Sequence, residues 1–433
     1  MRLAFASPLP PAPTGIADYA ADVLAALAPD HAIDVFHGPE AVDAGRLPVS
    51  CAVRAASELV PRHRQRPYDA VVYQMGNGPR HAFLYPLLVK APGLLVLHDL
   101  VLHHSRARML LDTPAARAYA REPWNAGRRA AAAAALEDYA AEVAHSYPAQ
   151  AARLVPAHLG TVGDLLPYAY PLFRLPVEAS RVVAVHNRFM AEAVTAEVPS
   201  AEVVPVAMPV EALPVAPGAS AGVRARHGIP DGDFVVGCFG LLTREKQLAV
   251  VARAVARAAR HLPGLRLLLV GAPADREALD RMLEHTGVRV RTIVAGHVPF
   301  AELGAHLAAA DLVAHLRYPT ARETSAALLR ALAQGRPAVI SDLENLAEVP
   351  EGAVLRADPT DEEGAVLRAI LRLAARPDIG AALGARARAF VAAEHSRERC
   401  RASYAAALER TAARRDPEPA GWPPRWRAER ESA

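Results

Sequence analysis

The residues best suited to chemistry lie between positions 311 and 342, DLVAHLRYPTARETSAALLRALAQGRPAVISD. An apolar run at 312–316 reads as a strand ending in the turn-prone Tyr318-Pro319. Glu323, Thr324 and Ser325 then open a helix whose Ala327, Leu328, Ala331 and Leu332 can face a sheet. Gly335 closes that helix and Pro337 keeps it from resuming. The unpaired N–H groups and the positive dipole end at Thr324 and Ser325 make an anion site, with two hydroxyls to complete the shell around a phosphate. Taken alone, the segment also fits an ordinary capped helix. A lysine adds to the phosphate reading: of 49 basic residues only Lys90 and Lys246 are lysine, and a compact, mobile ammonium reaches a phosphate differently from a guanidinium.

The elements that position such a site follow from the rest of the chain. At 433 residues it exceeds what one core usually supports, so two domains are expected. Apolar runs at 3–6, 33–36, 70–73, 94–97 and 182–185 alternate with Ala-rich helices, the rhythm of a parallel sheet. An Ala- and Arg-rich helical insertion at about 106–166 interrupts it. After a run at 203–206, residues 210–222 are rich in Pro, Gly and small side chains and read as a linker. A second alternating series has strands at 235–239, 267–270, 288–294, 312–316, 338–340 and 353–355. The expected organisation is therefore α/β with two Rossmann-like doubly wound domains, 1–209 and 223–394. A C-terminal helix at 395–415 packs back towards the first domain. Residues 416–433 are polar and Pro-rich, and a poorly ordered tail is expected there. Trp422 and Trp426 are then incidental aromatics, with docking on a partner or membrane as the alternative.

Composition excludes several classes. A hydrophobic fraction of 52% against 22% charged residues is that of a soluble globular protein, and no apolar run reaches the roughly 18 residues that span a bilayer. The opening MRLAFASPLPP reads as a strand and turn and not as a signal peptide, so a cytoplasmic protein is expected. A net charge of +3 carries no strong nucleic-acid footprint. Cys51, Cys238 and Cys400 are widely spaced and read as structural thiols, with no zinc site and no disulfide framework. His98, Asp99, His103 and His104 contain metal-ligand types, but adjacent helical histidines diverge by about 100°, so no metal is expected.

Three strand-end segments carry polar residues where parallel sheets bind ligands. YQMGNGPRHAF brings Gly76, Asn77, Gly78 and His81. LLVLHDLVLHH brings His98 directly after a strand, followed by Asp99. AVHNRF brings His186 and Asn187, with a satisfied structural histidine as the alternative for His186. Near the amino terminus Gly15 permits close approach to backbone, and Asp18 and Tyr19 start a helix that could orient hydroxyls.

From Pro8 to about Arg414 the chain resembles the group 1 (family 4) glycosyltransferases of GT-B fold, in which two Rossmann-like domains face a central cleft. PLPPAPTGIADYAADVLAAL is similar to the family's amino-terminal opening. VVGCFGLLTREKQ looks like its donor-phosphate loop, which implies that Gly240 ends a strand and that Lys246 reaches the diphosphate. LLLVGAP with Gly271, and AGHVPFAEL with Gly296 and Val298, match base- and ribose-side strand ends. The resemblance places His98 near the transferred sugar. Leu241 departs from it, since many relatives have an arginine there, and Arg244 is the candidate substitute. The family's two glutamates, separated by seven residues, register on Arg322 and Arg330. Glu323 is the candidate for the first role, and Arg330 cannot accept the ribose hydrogen bonds of the second.

What the resemblance implies is a retaining, metal-independent hexosyltransferase with no cofactor, which moves a hexose from a nucleoside-diphosphate sugar to a glycan, lipid-linked or small-molecule acceptor. His98 and Glu323 would be catalytic. Gly240, Arg244, Lys246, Gly271, Gly296, Val298, Thr324 and Ser325 would bind the donor. Gly15, Asp18, Tyr19, Asn77, His81, Asp99 and His186 would lie on the acceptor side. Peripheral membrane contact, at the inner face of the membrane, is left open. The alternatives are a catalytically inactive nucleotide-sugar-binding or regulatory partner and a nucleotide-sugar epimerase.

Overall fold

The computed structural model describes residues 1–159 and 165–432. It divides into two compact units, one of Met1–Pro209, Ala321–Thr324 and Arg397–Ala433 and the other of Val210–Thr320 and Ser325–Ser396.

In the first unit seven parallel strands form one sheet: β1 (Arg2–Ala6), β2 (Ala32–His37), β3 (Ala52–Ala55), β4 (Ala70–Met75), β5 (Leu94–Leu97), β6 (Val182–Val185) and β7 (Val203–Pro205). Their order is β3-β2-β1-β4-β5-β6-β7. β4, β5 and β6 are buried along their whole length, as strands covered by helices on both faces must be. The order reverses direction between β1 and β4, so the crevice at their carboxyl ends is where such a sheet accepts a ligand. Helices α1 (Gly15–Leu27), α2 (Leu59–Gln65), α3 (Leu84–Lys90) and α10 (Arg188–Glu197) connect strands. Between β5 and β6 the insertion supplies α4 (His103–Leu111), α5 (Pro114–Arg121), α6 (Ala126–Ser146), α7 (Ala151–Leu159), α8 (Leu166–Ala169) and α9 (Arg174–Glu178). It has a small core of its own around Leu110, Tyr139, Val143 and Leu154. Its residues 160–164 lie outside the described residues.

The second unit has six parallel strands, β8 (Phe234–Phe239), β9 (Leu265–Val270), β10 (Thr292–Gly296), β11 (Leu312–His315), β12 (Ala338–Ser341) and β13 (Leu355–Ala357), in the order β10-β9-β8-β11-β12-β13. Here the reversal falls between β8 and β11. The covering helices are α11 (Ala219–Arg226), α12 (Leu248–Ala258), α13 (Arg276–His285), α14 (Phe300–Ala309), α15 (Ala326–Ala333), α16 (Glu362–Ala375) and α17 (Pro377–Glu394).

Three strand expectations shift. β3 was not anticipated, because Ala52–Ala55 is a short edge strand with little buried surface. β10 starts at Thr292 because Arg289–Arg291 form a 3-10 turn. β13 occupies Leu355–Ala357 and not 353–355.

The chain then returns to the first unit through α18 (Arg397–Ala413) and ends in α19 (Pro424–Glu431). The expected loose tail is thus corrected. Trp422 and Trp426 are buried within the first unit's core beside Tyr85, Leu88 and Val89, and two indoles supply enough apolar area to hold an otherwise polar segment.

Candidate functional site

In the first unit the sequence-selected residues fall at the carboxyl ends of four strands. After β1, Thr14 caps α1 by accepting a hydrogen bond from the Ile16 amide at 3.1 Å. Gly15 faces open space, with nothing within 4 Å of where a Cβ would stand. Asp18 and Tyr19, expected to act together, diverge. Asp18 pairs with Arg46 at 2.9 Å. Tyr19 is buried, and its hydroxyl lies 2.6 Å from that of Tyr404 on α18. Consecutive helical residues point about 100° apart, so one turns out and the other in.

After β4, Gly76 sits against side-chain ends from three neighbouring segments. A Cβ there would come within 2.3 Å of Ile16 Cδ1, 3.0 Å of His81 Nε2 and 3.2 Å of Asp99 Oδ2. The Asn77 amide donates to Asp99 Oδ2 at 2.7 Å, and Asn77 Oδ1 accepts from the Ser105 amide at 3.1 Å. His81 is buried with Nδ1 2.9 Å from the Gln74 carbonyl.

After β5, His98 packs edge-on to Tyr19, with ring centres 4.6 Å apart, and lies 4.9 Å from His186. Its Nε2 is 2.8 Å from Gln74 Oε1, while Gln74 Nε2 donates to the Tyr404 hydroxyl at 3.3 Å. That orientation of the amide makes His98 Nε2–H the donor and leaves the lone pair on Nδ1. Burial first, then the neighbouring His186 and His81, holds the imidazole well below its usual range. His98 is therefore neutral at pH 7 and offers a polar contact.

After β6, His186 Nδ1 is 3.0 Å from the Val206 carbonyl. Asn187 caps α10, and its amide nitrogen donates to the Arg322 carbonyl at 3.1 Å and to Thr324 Oγ1 at 3.0 Å. Glu323 and Thr324 thus sit in a tetrapeptide that belongs with the first unit, and Thr324 is not part of the helix opening. His103 is occupied on both nitrogens, by the Tyr170 carbonyl and the Tyr139 hydroxyl.

In the second unit the residues after β8 and β9 and the start of α15 converge. Gly240, at φ +89°, directly follows β8. Lys246 folds back from a 3-10 turn so that Nζ donates to the Phe239 carbonyl at 2.6 Å, and it would stand 3.2 Å from a Cβ on Gly240. Ala327, in the first turn of α15, would be 3.7 Å from the same Cβ. Gly271, at φ +144°, packs so closely that a Cβ would meet the Gly240 carbonyl oxygen at 2.1 Å, so both strand ends must be glycine.

α15 begins at Ala326, later than expected. Ser325 is its cap, with Oγ accepting from the Leu328 amide at 3.3 Å. The free first-turn amides therefore belong to the residues just after Ser325. Arg244 and Leu241 are both exposed, Leu241 to 54%. Gly296, at φ +71°, ends β10, two strands from β8, and Val298 follows it half-buried. Arg330 is buried with its guanidinium 4.9 Å from the centre of the Phe300 ring, a cation–π contact in place of a carboxylate.

Sequence reasoning missed three residues. Gln74 and Tyr404 link His98 to Tyr19, and the one available signal was a lone polar residue inside the buried run AVVYQM of β4. His315 ends β11 buried, and burial, then Lys246 and Arg317, keeps it neutral.

The buried histidines carry a pH consequence. Burial pushes His81 down to about 4, against an unfolded value near 6.5. As pH falls, the unfolded chain binds this proton first. Stability is thus intact above about pH 6.5 and is lost towards pH 4, by on the order of 3 kcal/mol for His81 alone. Melting curves at pH 7 and 4.5 should show a smaller drop for His81→Gln than for the native chain.

Residues 233–376 match the model of the family described as Glycosyl transferases group 1. A GDP-mannose-dependent alpha-(1-6)-phosphatidylinositol monomannoside mannosyltransferase of Mycolicibacterium smegmatis is 35% identical over 98 residues, which are 23% of this chain and 25% of that protein. The chain therefore spans a quarter of the length of this curated relative. Among solved structures, HepE of Anabaena in complex with UDP and glucose superposes with a TM-score of 0.64 at 15% identity, covering 94% of this chain and 99% of that one. The sucrose-phosphate synthase of Thermosynechococcus elongatus gives 0.64 at 16% identity, covering 94% and 98%. Residues 233–376 of the second unit thus resemble a group 1 glycosyltransferase domain, on a chain whose fold is GT-B.

Proposed function

We propose that the protein transfers a hexose from a nucleoside-diphosphate sugar to an acceptor hydroxyl, with retention at the anomeric carbon and without a divalent metal. The observation that carries this reading is the convergence of Gly240, Lys246 and the first turn of α15 at the point where the second sheet reverses its strand order. Backbone without side chains, one ammonium and a helix amino terminus together suit a diphosphate. As the bond from the anomeric carbon to the diphosphate oxygen breaks, the electron pair and growing negative charge go to the diphosphate, where Lys246 Nζ and the first-turn amides would stabilise them. The acceptor oxygen bonds to the same face of the anomeric carbon, and its proton passes to the departing phosphate oxygen. Glu323 would hold sugar hydroxyls, and neutral His98 would accept a hydrogen bond through Nδ1.

GDP-mannose, named for the mycobacterial relative, and the UDP-glucose of a second HepE complex make GDP- and UDP-sugars the first donors to test. The lipid-linked acceptor of the mannosyltransferase makes a lipid-linked glycan one acceptor class, beside free glycans and small molecules. Among the described residues no helix is long and apolar enough to cross a membrane. Calorimetric and thermal-shift titration with UDP, GDP, ADP and their sugar conjugates tests the donor site. One nucleotide at 100 times its Kd should raise stability by about 2.7 kcal/mol. No stabilisation by any of them would sink this reading and favour a chain that has lost donor binding through Arg330 and Leu241.

A further inference from the structure

None of the roles assigned above uses the carboxyl-terminal helix, yet α19 reaches a deeply buried ion pair of the first unit. Arg106 on α4 and Glu142 on α6 are each only 4% exposed. Arg106 Nε donates to Glu142 Oε2 at 3.0 Å and Nη2 donates to Oε1. Trp426 on α19 donates its indole N–H to the same Oε1 at 2.7 Å. The Arg106 guanidinium lies 4.2 Å from the centre of the Tyr85 ring and 5.3 Å from that of Trp426. Around this buried knot, Lys90 pairs with Glu429 at 2.7 Å and Arg425 with Asp138 at 2.8 Å, and Arg430 donates to the Val89 carbonyl at 2.9 Å.

From the knot a short series of polar contacts leads to the strand ends. The Tyr85 hydroxyl is 3.0 Å from Ser105 Oγ. Ser105, the neighbour of Arg106 on α4, donates its amide to Asn77 Oδ1, and the Asn77 amide binds Asp99, the residue after His98. A buried ion pair is a poor source of net stability, since apolar residues of equal volume usually serve as well. What it does provide is a fixed geometry, because a bidentate guanidinium admits one arrangement of its partners.

We propose that Arg106 is a positioning residue, locked by Glu142 and Trp426, through which the carboxyl-terminal helix sets α4 and the Asn77–Asp99 strand ends that receive the acceptor. This rests on the transferase reading only for the acceptor. The positioning itself is testable without turnover.

Trp426→Phe keeps an aromatic ring and removes the N–H, Glu142→Gln keeps the shape and removes the charge, and Arg106→Lys keeps the charge and removes the fork. In all three, hydrogen exchange should rise at residues 98–111 and stay unchanged in the second unit. With octyl α-mannoside as acceptor probe, its KM should rise about 3- to 30-fold while the KM for the donor stays within about twofold. Exchange unchanged at 98–111, or raised equally throughout the chain, would overturn the proposal, as would equal losses in both KM values. If wild type does not glycosylate the probe, the exchange pattern alone decides, and failure of the transferase reading shows separately as wild type binding no nucleotide.

Discussion

Replacing Lys246 by alanine is expected to weaken binding of the preferred nucleoside diphosphate by about 10- to 150-fold, the equivalent of about 1.5–3 kcal/mol for a hydrogen bond to a charged group. The ammonium is buried and held over Gly240 by its bond to the Phe239 carbonyl, so it is already ordered before a ligand arrives. Little rotamer entropy then remains to be lost on binding. Lys246→Arg should not rescue, because a planar fork does not reproduce the compact ammonium that the Phe239 carbonyl holds beside Gly240. Titration of both variants, with ligand-free melting curves to establish that they fold, checks this. Wild-type affinity in Lys246→Ala would remove the lysine from the donor site.

Arg106→Ala should be among the most destabilising single changes in the first unit, at about 3–5 kcal/mol, because it leaves Glu142 charged and buried with its main cation gone. The paired change Arg106→Met with Glu142→Leu should recover most of that loss, since neither partner is then left uncompensated. Urea unfolding of the single and double variants checks both. A loss under about 1 kcal/mol for Arg106→Ala would mean that water reaches Glu142 and that the pair acts as a surface bridge.

The sheets were legible because parallel strands covered on both faces read as unbroken apolar runs, as in LLVL of β5 and VVAV of β6. His98 was legible for the same reason, as the first polar residue after such a run. Its support was not. Tyr404 lies 330 residues from Gln74 in sequence, on a helix with no apolar periodicity to mark an inward face. The start of α15 was misplaced because Glu323, Thr324 and Ser325 are all good first-turn residues. Arg322, at φ +63°, breaks the run, and only Ser325 caps. The tail was misread because its average polarity outweighed two tryptophans, taken as incidental, that each bury a large apolar surface. The setting of Arg330 was not legible, because its aromatic partner, Phe300, belongs to a different helix.

The most direct test follows the anomeric carbon itself. Isotope-labelled GDP-mannose and UDP-glucose would be incubated with the protein and octyl α-mannoside in the presence of a chelator, and the product read by NMR as it forms. The account predicts release of nucleoside diphosphate from one donor and a first-formed product with the donor's own α configuration. A first-formed β product, a requirement for added divalent metal, or no release from either donor would contradict it.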